Sequence, residues 1–286
     1  MPELIEAAAD ARAAGRAVGA TLGEVMLADP SWVRGGLSGD DLASALVGTE
    51  VVEVGRLGKV VLLGTDGPTL ALRFGMTGRL LWDDDAPIDE LVYGPKRSEE
   101  AWVRFALSLQ HPGEEVAHRL AVEDARRLGS VELDADLSDL GPDAVGIHAE
   151  QLADAFGTTT TPLKAALLDQ RRLAGLGNLL VDEVLWRAGM HPETPAGTLK
   201  DDELVLLADT IALVVAELSK RGGSHTGDLQ PQRARATAWP TDGPHLARVG
   251  LERGEVVLEH EVGLVEQAAD QRALAVVDAA AGDEAQ

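Results

Sequence analysis

Two stretches of this chain, far apart in sequence, have the residue types and spacing to do chemistry. The first is the opening, Met1-Pro2-Glu3-Leu4. Loss of Met1 would expose the secondary amine of Pro2, which can condense with a sugar aldehyde carbon to give a charged iminium; this is covalent catalysis without a cofactor. A terminal α-amine titrates at about 7.7–8.0, well below lysine, so part of it is unprotonated near neutrality. Glu3 is tethered beside that amine, where it can protonate a ring oxygen or shuttle the amine proton. It is equally the kind of first-turn acid that a helix dipole favours. Glu6, one turn further on, is either a second carboxylate of the site or a solvated charge. The second stretch is Gly175-Leu176-Gly177-Asn178, a glycine-rich turn that opens a helix. Such a turn bares backbone N–H groups and can hold a phosphate, although the same run can simply cap a helix. A nucleophile for sugar carbons and a phosphate cradle together point towards nucleic acid.

The elements that must position these groups fall into two kinds. Residues 3–19 are rich in Ala with Glu and Arg interspersed, which predicts a helix immediately after Pro2 that would fix the terminal amine. From Val51 to Leu133 short apolar runs begin at Val51, Lys59, Leu70, Trp102 and Val116, bounded by turn signals such as Thr65-Asp66-Gly67-Pro68. That spacing predicts a β-sandwich. Residues 134–150 read as a linker. Helices are expected over 149–156, 161–170, 178–188 and 201–221, the last with acid in its first turn. Residues 229–263 read as short-stranded or irregular, and 266–286 as a frayed tail rich in Ala and acid. Lys59, in an apolar run, is either an end-of-strand charge or a phosphate contact.

Composition sets outer limits. A chain of 286 residues with 45% hydrophobic content can build two cores. It has no apolar run near membrane-spanning length and no signal-peptide layout, so a cytoplasmic protein without a membrane partner is expected. Cys is absent, which excludes disulfides, thiol catalysis and thiolate metal sites. The formal net charge of −23 opposes nucleic-acid binding, because duplex affinity rests largely on Lys and Arg. Basic residues do gather locally, with Lys164, Arg171, Arg172 and Arg187 between positions 164 and 191. The acidity fits either a salt-adapted or GC-rich host or a protein that has lost affinity for DNA.

Taken together, Pro2-Glu3-Leu4 and the Gly-x-Gly-Asn turn resemble the formamidopyrimidine-DNA glycosylase and endonuclease VIII family. Further matches follow in order: Arg56 to Leu63 with its lysine Lys59, Arg73 to Leu80 with Met76, Asp124 to Gly129, and Pro162 to Gln170. The resemblance implies an α+β fold, with an N-terminal β-sandwich carrying the terminal helix, then a helix–two-turn–helix domain and a β-hairpin module. The expected boundaries are 1–133 for the catalytic sandwich, 134–150 for the linker, 151–224 for the DNA-binding helices, 225–265 for a degenerate zincless finger and 266–286 for the acidic tail. It implies Pro2 as nucleophile, Glu3 as acid/base and Lys59 in the catalytic set, with Glu6 as a further carboxylate. Met76, Arg126 and Leu128 would fill the gap left by a flipped nucleotide. Arg127, Lys164, Gly177, Asn178 and Ser224 would contact DNA. Residues 222–226, Gly-Gly-Ser-His-Thr, match a phosphate- or lesion-contacting loop of the family, with His225 read as a solvent-facing loop residue.

Several positions depart from the pattern. The family's second proline is Ile5, and its following Val-Glu is Ala7-Ala8. In the finger the metal ligands fall at Trp239, Asp242, His260 and Gly263, and the phosphate-gripping Arg falls at Glu255. That set cannot make a tetrahedral structural zinc site, so no cofactor is expected. The leading expectation is a base-excision-repair DNA glycosylase with abasic-site lyase activity acting as a monomer on damaged double-stranded DNA, bacterial in type and nucleoid-associated in use. The second is a non-catalytic damaged-DNA-binding or protein-interaction descendant of the same fold.

Overall fold

The computed structural model describes residues 2–88, 97–220 and 223, together with the backbone of 275–276. Helix α1 (Leu4–Ala14) starts the chain, and β1 (Thr21–Leu27) and α2 (Gly39–Leu46) follow. Strands β2 (Val51–Leu57), β3 (Val60–Thr65), β4 (Thr69–Arg73), β5 (Arg79–Trp82), β6 (Val103–Gln110), β7 (His118–Glu123) and β8 (Ser130–Leu133) complete the first half. They form two antiparallel sheets, one ordered β1-β6-β7-β5 and the other β8-β4-β3-β2. The short strand β9 (Ala275–Val276) pairs with Gly55 and Arg56 on the outer edge of β2, so two residues of the expected tail belong to a sheet.

The second half is helical: α3 (Ala149–Phe156), α4 (Leu163–Leu168), α5 (Asn178–Ala188) and α6 (Asp201–Lys220). The α+β class with a β-sandwich and a helical domain is therefore the observed architecture. No helix among the described residues is long and apolar enough to cross a membrane.

Helix α1 serves both halves. Its first residues, Leu4 and Ile5, are buried in the helical core with Leu176, Leu180 and Val184. Its later residues, Ala7, Ala11 and Ala14, are buried in the sandwich core with Val61, Leu72 and Phe105. Alanine lets the helix lie close to the sheets, and Ile5, where the resemblance has proline, supplies apolar volume to the other side. The helix stops at Ala14, short of the expected residue 19, and continues only as a 3₁₀ turn through Ala17.

The segment expected as a linker is anchored at several points. Asp143 accepts from the Arg56 guanidinium at 2.7 and 3.0 Å and from the Gly58 N–H at 2.7 Å. Ala144 and Ile147 are buried in the helical core. Residues 142–144 also exchange backbone hydrogen bonds with Ala174.

Candidate active site

Pro2 is buried at the mouth of α1, and the backbone behind it is held on both sides. The Glu3 N–H donates to Glu6 Oε2 at 2.8 Å, and the Leu4 N–H donates to the Gly175 carbonyl at 3.0 Å. The Glu3 side chain crosses to the other domain. Its carboxylate accepts from Gly177 N–H and Leu179 N–H, each at 2.9 Å, and from Leu180 N–H at 3.1 Å. These are the N–H groups that a helix start leaves unpaired, so the first acid of the chain caps the helix beginning at Asn178.

The glycines of that turn exist to permit this approach. A Cβ on Gly177 would overlap the Glu3 carboxyl, and one on Gly175, whose φ is +113°, would come within 3.0 Å of Leu4 Cβ. One expectation is corrected here. The Gly177 N–H, expected to face a phosphate, is taken by Glu3, as are the Leu179 and Leu180 N–H groups.

Lys59 arrives from the sandwich. It lies in the two-residue turn between β2 and β3, not inside a strand. The turn packs against the glycine run: a Cβ on Gly58, whose φ is +57°, would stand 2.9 Å from Ala174 Cβ and 3.2 Å from Gly175 N. Lys59 faces both Glu3 and Glu6. Burial lowers its ammonium pKa, and attraction to the two acids opposes that. Glu3 moves the other way, its carboxyl raised chiefly by burial against the pull of the Leu179 N–H, Lys59 and the Leu180 N–H. Burial is the largest cause of both shifts, and in each it works against the charged form of the group.

A second cluster forms above the sandwich. Asp124 is fully buried and organises it. Its carboxylate accepts from Thr77 Oγ1 at 2.6 Å, Leu128 N–H at 2.6 Å and Gly129 N–H at 2.7 Å. It also receives Arg126 N–H at 3.2 Å and the Trp32 indole N–H at 3.4 Å. Gly75, beside Met76, packs so closely on the Leu128–Gly129 backbone that a Cβ would come to 2.5 Å. The turn carrying Met76 and the loop carrying Arg126, Arg127 and Leu128 are therefore one unit. Leu128 is 46% exposed, an apolar side chain presented to solvent, while Arg127 takes φ +57° and faces Asp29 at 3.5 Å.

Asn178 and Lys164 share one acid. Lys164 Nζ donates to Asp182 at 2.6 Å, and the Asn178 amide donates to the same carboxylate at 3.3 Å. Ser224, His225 and the finger positions Trp239, Asp242, Glu255, His260 and Gly263 lie outside the described residues.

Sequence reasoning gave no role to Asp124, Asp143 or Gln170. Gln170 donates to the Leu176 carbonyl at 2.9 Å and accepts from Gly175 N–H at 2.9 Å, which pins the glycine turn from below. Asp124 and Gln170 stood inside matched segments, so the signal was present, but their partners are distant in sequence.

The chain is similar to known proteins over most of its length. Residues 1–131 match the formamidopyrimidine-DNA glycosylase N-terminal domain, and residues 140–229 match the formamidopyrimidine-DNA glycosylase H2TH domain. A formamidopyrimidine-DNA glycosylase of Roseobacter denitrificans is 35% identical over 202 residues, covering 66% of this chain and 69% of the relative. Its counterpart in Chloroflexus aggregans is 36% identical over 195 residues, 64% of this chain and 65% of the relative. Among solved structures, Lactococcus lactis formamidopyrimidine-DNA glycosylase bound non-covalently to DNA with an abasic site superposes with a TM-score of 0.64 at 25% identity, over 78% of this chain and 83% of that one. The same enzyme with DNA containing N7-benzyl-Fapy-dG gives a TM-score of 0.65 at 24% identity, over 81% and 86%.

Proposed function

The chain belongs to the formamidopyrimidine-DNA glycosylase family, and from that premise we propose how its own residues carry out the reaction. It is a DNA glycosylase of base excision repair whose partner is damaged double-stranded DNA. The non-catalytic alternative is not favoured. The observation that carries the mechanistic reading is the locked start of the chain, where Pro2 is buried beside Glu3, whose carboxylate caps the far domain's helix, with Lys59 facing Glu3 and Glu6.

With Met1 removed, the Pro2 nitrogen attacks C1′ of the extruded nucleotide. The N–C1′ bond forms as the glycosidic bond breaks, and the base leaves with its electron pair and takes up the proton that the Pro2 nitrogen gives up. Glu3, whose raised carboxyl retains a proton more readily than an exposed acid, supplies one to the sugar ring oxygen as the ring opens. The iminium between Pro2 and C1′ then acidifies the C2′ hydrogen, and loss of that proton expels the 3′ phosphate and cleaves the strand. Lys59 holds positive charge beside the two acids and is placed to meet the backbone phosphate of the lesion. Met76, Arg126 and Leu128 form the unit that would occupy the space vacated by the flipped nucleotide, offsetting a cost of a few kcal/mol.

The structural zinc of the family does not fit this chain, because Trp239, Asp242, His260 and Gly263 hold the ligand positions and there is no Cys. We therefore propose that the protein folds and acts without zinc. A cytoplasmic location, action on nucleoid DNA and a monomeric state belong to the same reading. The test is borohydride trapping on a duplex with an abasic site, with intact-mass analysis of the protein. A covalent adduct, loss of Met1 and loss of the adduct in Pro2→Gly are expected. An active protein that keeps Met1 would remove Pro2 from the mechanism.

A further inference from the structure

The turn that receives the start of the chain is a single leucine between two glycines. Leu176 is buried in the helical core and seats the turn, but Gly175 and Gly177 on either side leave its peptide groups free to swivel. Two of those groups hold the residues that follow Pro2. The Gly175 carbonyl accepts the Leu4 N–H at 3.0 Å, and the Gly177 N–H donates to the Glu3 carboxylate at 2.9 Å. The remaining polar groups of the turn converge on one side chain. Gln170 Oε1 accepts the Gly175 N–H at 2.9 Å, while its Nε2 donates to the Leu176 carbonyl at 2.9 Å and to the Leu168 carbonyl at 3.0 Å. Leu168 is the last residue of α4, so the amide is itself tethered to a helix end. Only one orientation of the amide satisfies all three partners, since the reverse would set its oxygen against two carbonyls and its NH₂ against an N–H.

We propose that Gln170 is a positioning residue for the Pro2 amine, acting through the glycine turn. The proposal rests on the function given above. A peptide group is planar, with its carbonyl and N–H pointing opposite ways. By holding the Leu176 carbonyl from one side, Gln170 therefore aims the Gly177 N–H at Glu3 on the other. By accepting the Gly175 N–H, it also fixes the peptide before Gly175, whose φ of +113° suits glycine and few other residues. The Gly175 carbonyl, acceptor for Leu4, belongs to the peptide between these two. Without the amide the turn stays seated by Leu176, but its peptides can rotate and the backbone that presents Pro2 loses its fixed partners. A misplacement of about 1 Å in a reacting group costs rate by about a hundredfold.

The experiment compares the full-length wild type with Gln170→Glu, Gln170→Met and Gln170→Ala. Glu keeps an acceptor for Gly175 but turns an oxygen towards two carbonyls, Met keeps the length and loses the bonds, and Ala loses both. Each is studied where thermal melts show it folded, by single-turnover borohydride trapping at saturating abasic duplex, by titration for Kd, and by hydrogen exchange of the Leu4 and Gly177 amides. Trapping should slow about ten- to a hundredfold. Kd should move by less than about threefold, because Lys59 and Lys164 meet phosphate from other segments. The two amides should exchange at least about tenfold faster than in wild type. A folded variant with an unchanged trapping rate would overturn the proposal, as would parallel losses of rate and affinity, unchanged exchange, or failure of all three variants to fold. A wild type that forms no adduct would overturn the lyase reading, and that outcome is separable because exchange at Leu4 and Gly177 reads the Gln170 contacts without turnover.

Discussion

Glu3 combines two duties that pull its proton in opposite directions. Three backbone N–H groups favour the carboxylate, while burial favours the acid and prevails. Replacing it by Gln keeps the shape but turns an NH₂ towards donors, leaving at least one buried N–H unsatisfied. A loss of about 1–3 kcal/mol in denaturant unfolding is expected, together with a fall in turnover of roughly 10²–10⁴. The stability gap has a definite pH dependence. Because the folded carboxyl is raised, its contribution is fully present below the unfolded value of about 4.3 and is lost as pH rises through the folded one. The gap between wild type and Glu3→Gln should therefore be widest in acid and narrow with rising pH. A constant or widening gap would contradict the burial-dominated carboxyl. Pro2, Glu3 and Gly177 could be picked out from sequence because their types and order form a motif. That Glu3 and Gly177 touch could not, since 174 positions separate them and only the fold brings them together.

At the level of elements, the loop from Asp124 to Gly129 and the turn at Met76 are tied together because a single carboxylate gathers their donors. Leu128 projects from that body without packing into either core, being 46% exposed. Leu128→Ala should thus leave the unfolding free energy within about 0.5 kcal/mol of wild type while weakening binding to lesion-containing duplex more than to undamaged duplex. Equal weakening of both, measured by anisotropy, would deny the side chain a role in filling the gap. The longer elements were readable in advance. The expected helices over 149–156 and 178–188 match α3 and α5, because their apolar periodicity and capping signals agree. Strand β1 was not read, for a physical reason: its register shifts between Leu22 and Val25, and Gly23 lies where a Cβ would overlap the Ser108 hydroxyl. A bulge breaks the alternation on which strand reading depends. Helix α2 was also missed, although Ser38 and Asp41 form a reciprocal cap at its start. The expected helix over 161–170 shrinks to Leu163–Leu168, since Asp169 turns its carboxylate to the Arg171 N–H and ends the run.

Across the whole molecule, the total charge was plain in the sequence and its pairing was not. Lys164 faces Asp182, Arg127 faces Asp29, and Arg171 and Arg172 both face Asp169. Cations already held by acids release fewer counterions when DNA binds. The salt dependence of duplex affinity should correspond to about three to five phosphate contacts, below the six to ten of strong binders. A titration with abasic duplex measures this slope; one as steep as that of the strong binders would mean that DNA displaces the internal acids. Zinc supplies the second test at this scale. Exhaustive chelation should change neither Tm nor trapping yield, and a tightly held equivalent of metal in the purified protein would refute the zincless reading.

Helix α1 is common property, with Leu4 and Ile5 in one core and Ala7, Ala11 and Ala14 in the other. During synthesis the ribosome releases α1 first, yet its apolar first turn has no seat until α5 has emerged some 170 residues later. The nascent sandwich must wait with Leu4 and Ile5 uncovered, a natural target for a holdase chaperone. Severing the chain between the halves should give an N-terminal fragment that aggregates alone and is rescued by adding the C-terminal fragment in trans. Trapping activity should return only on that reassociation, because the start of the chain is held by bonds to residues 175–180 of the other half.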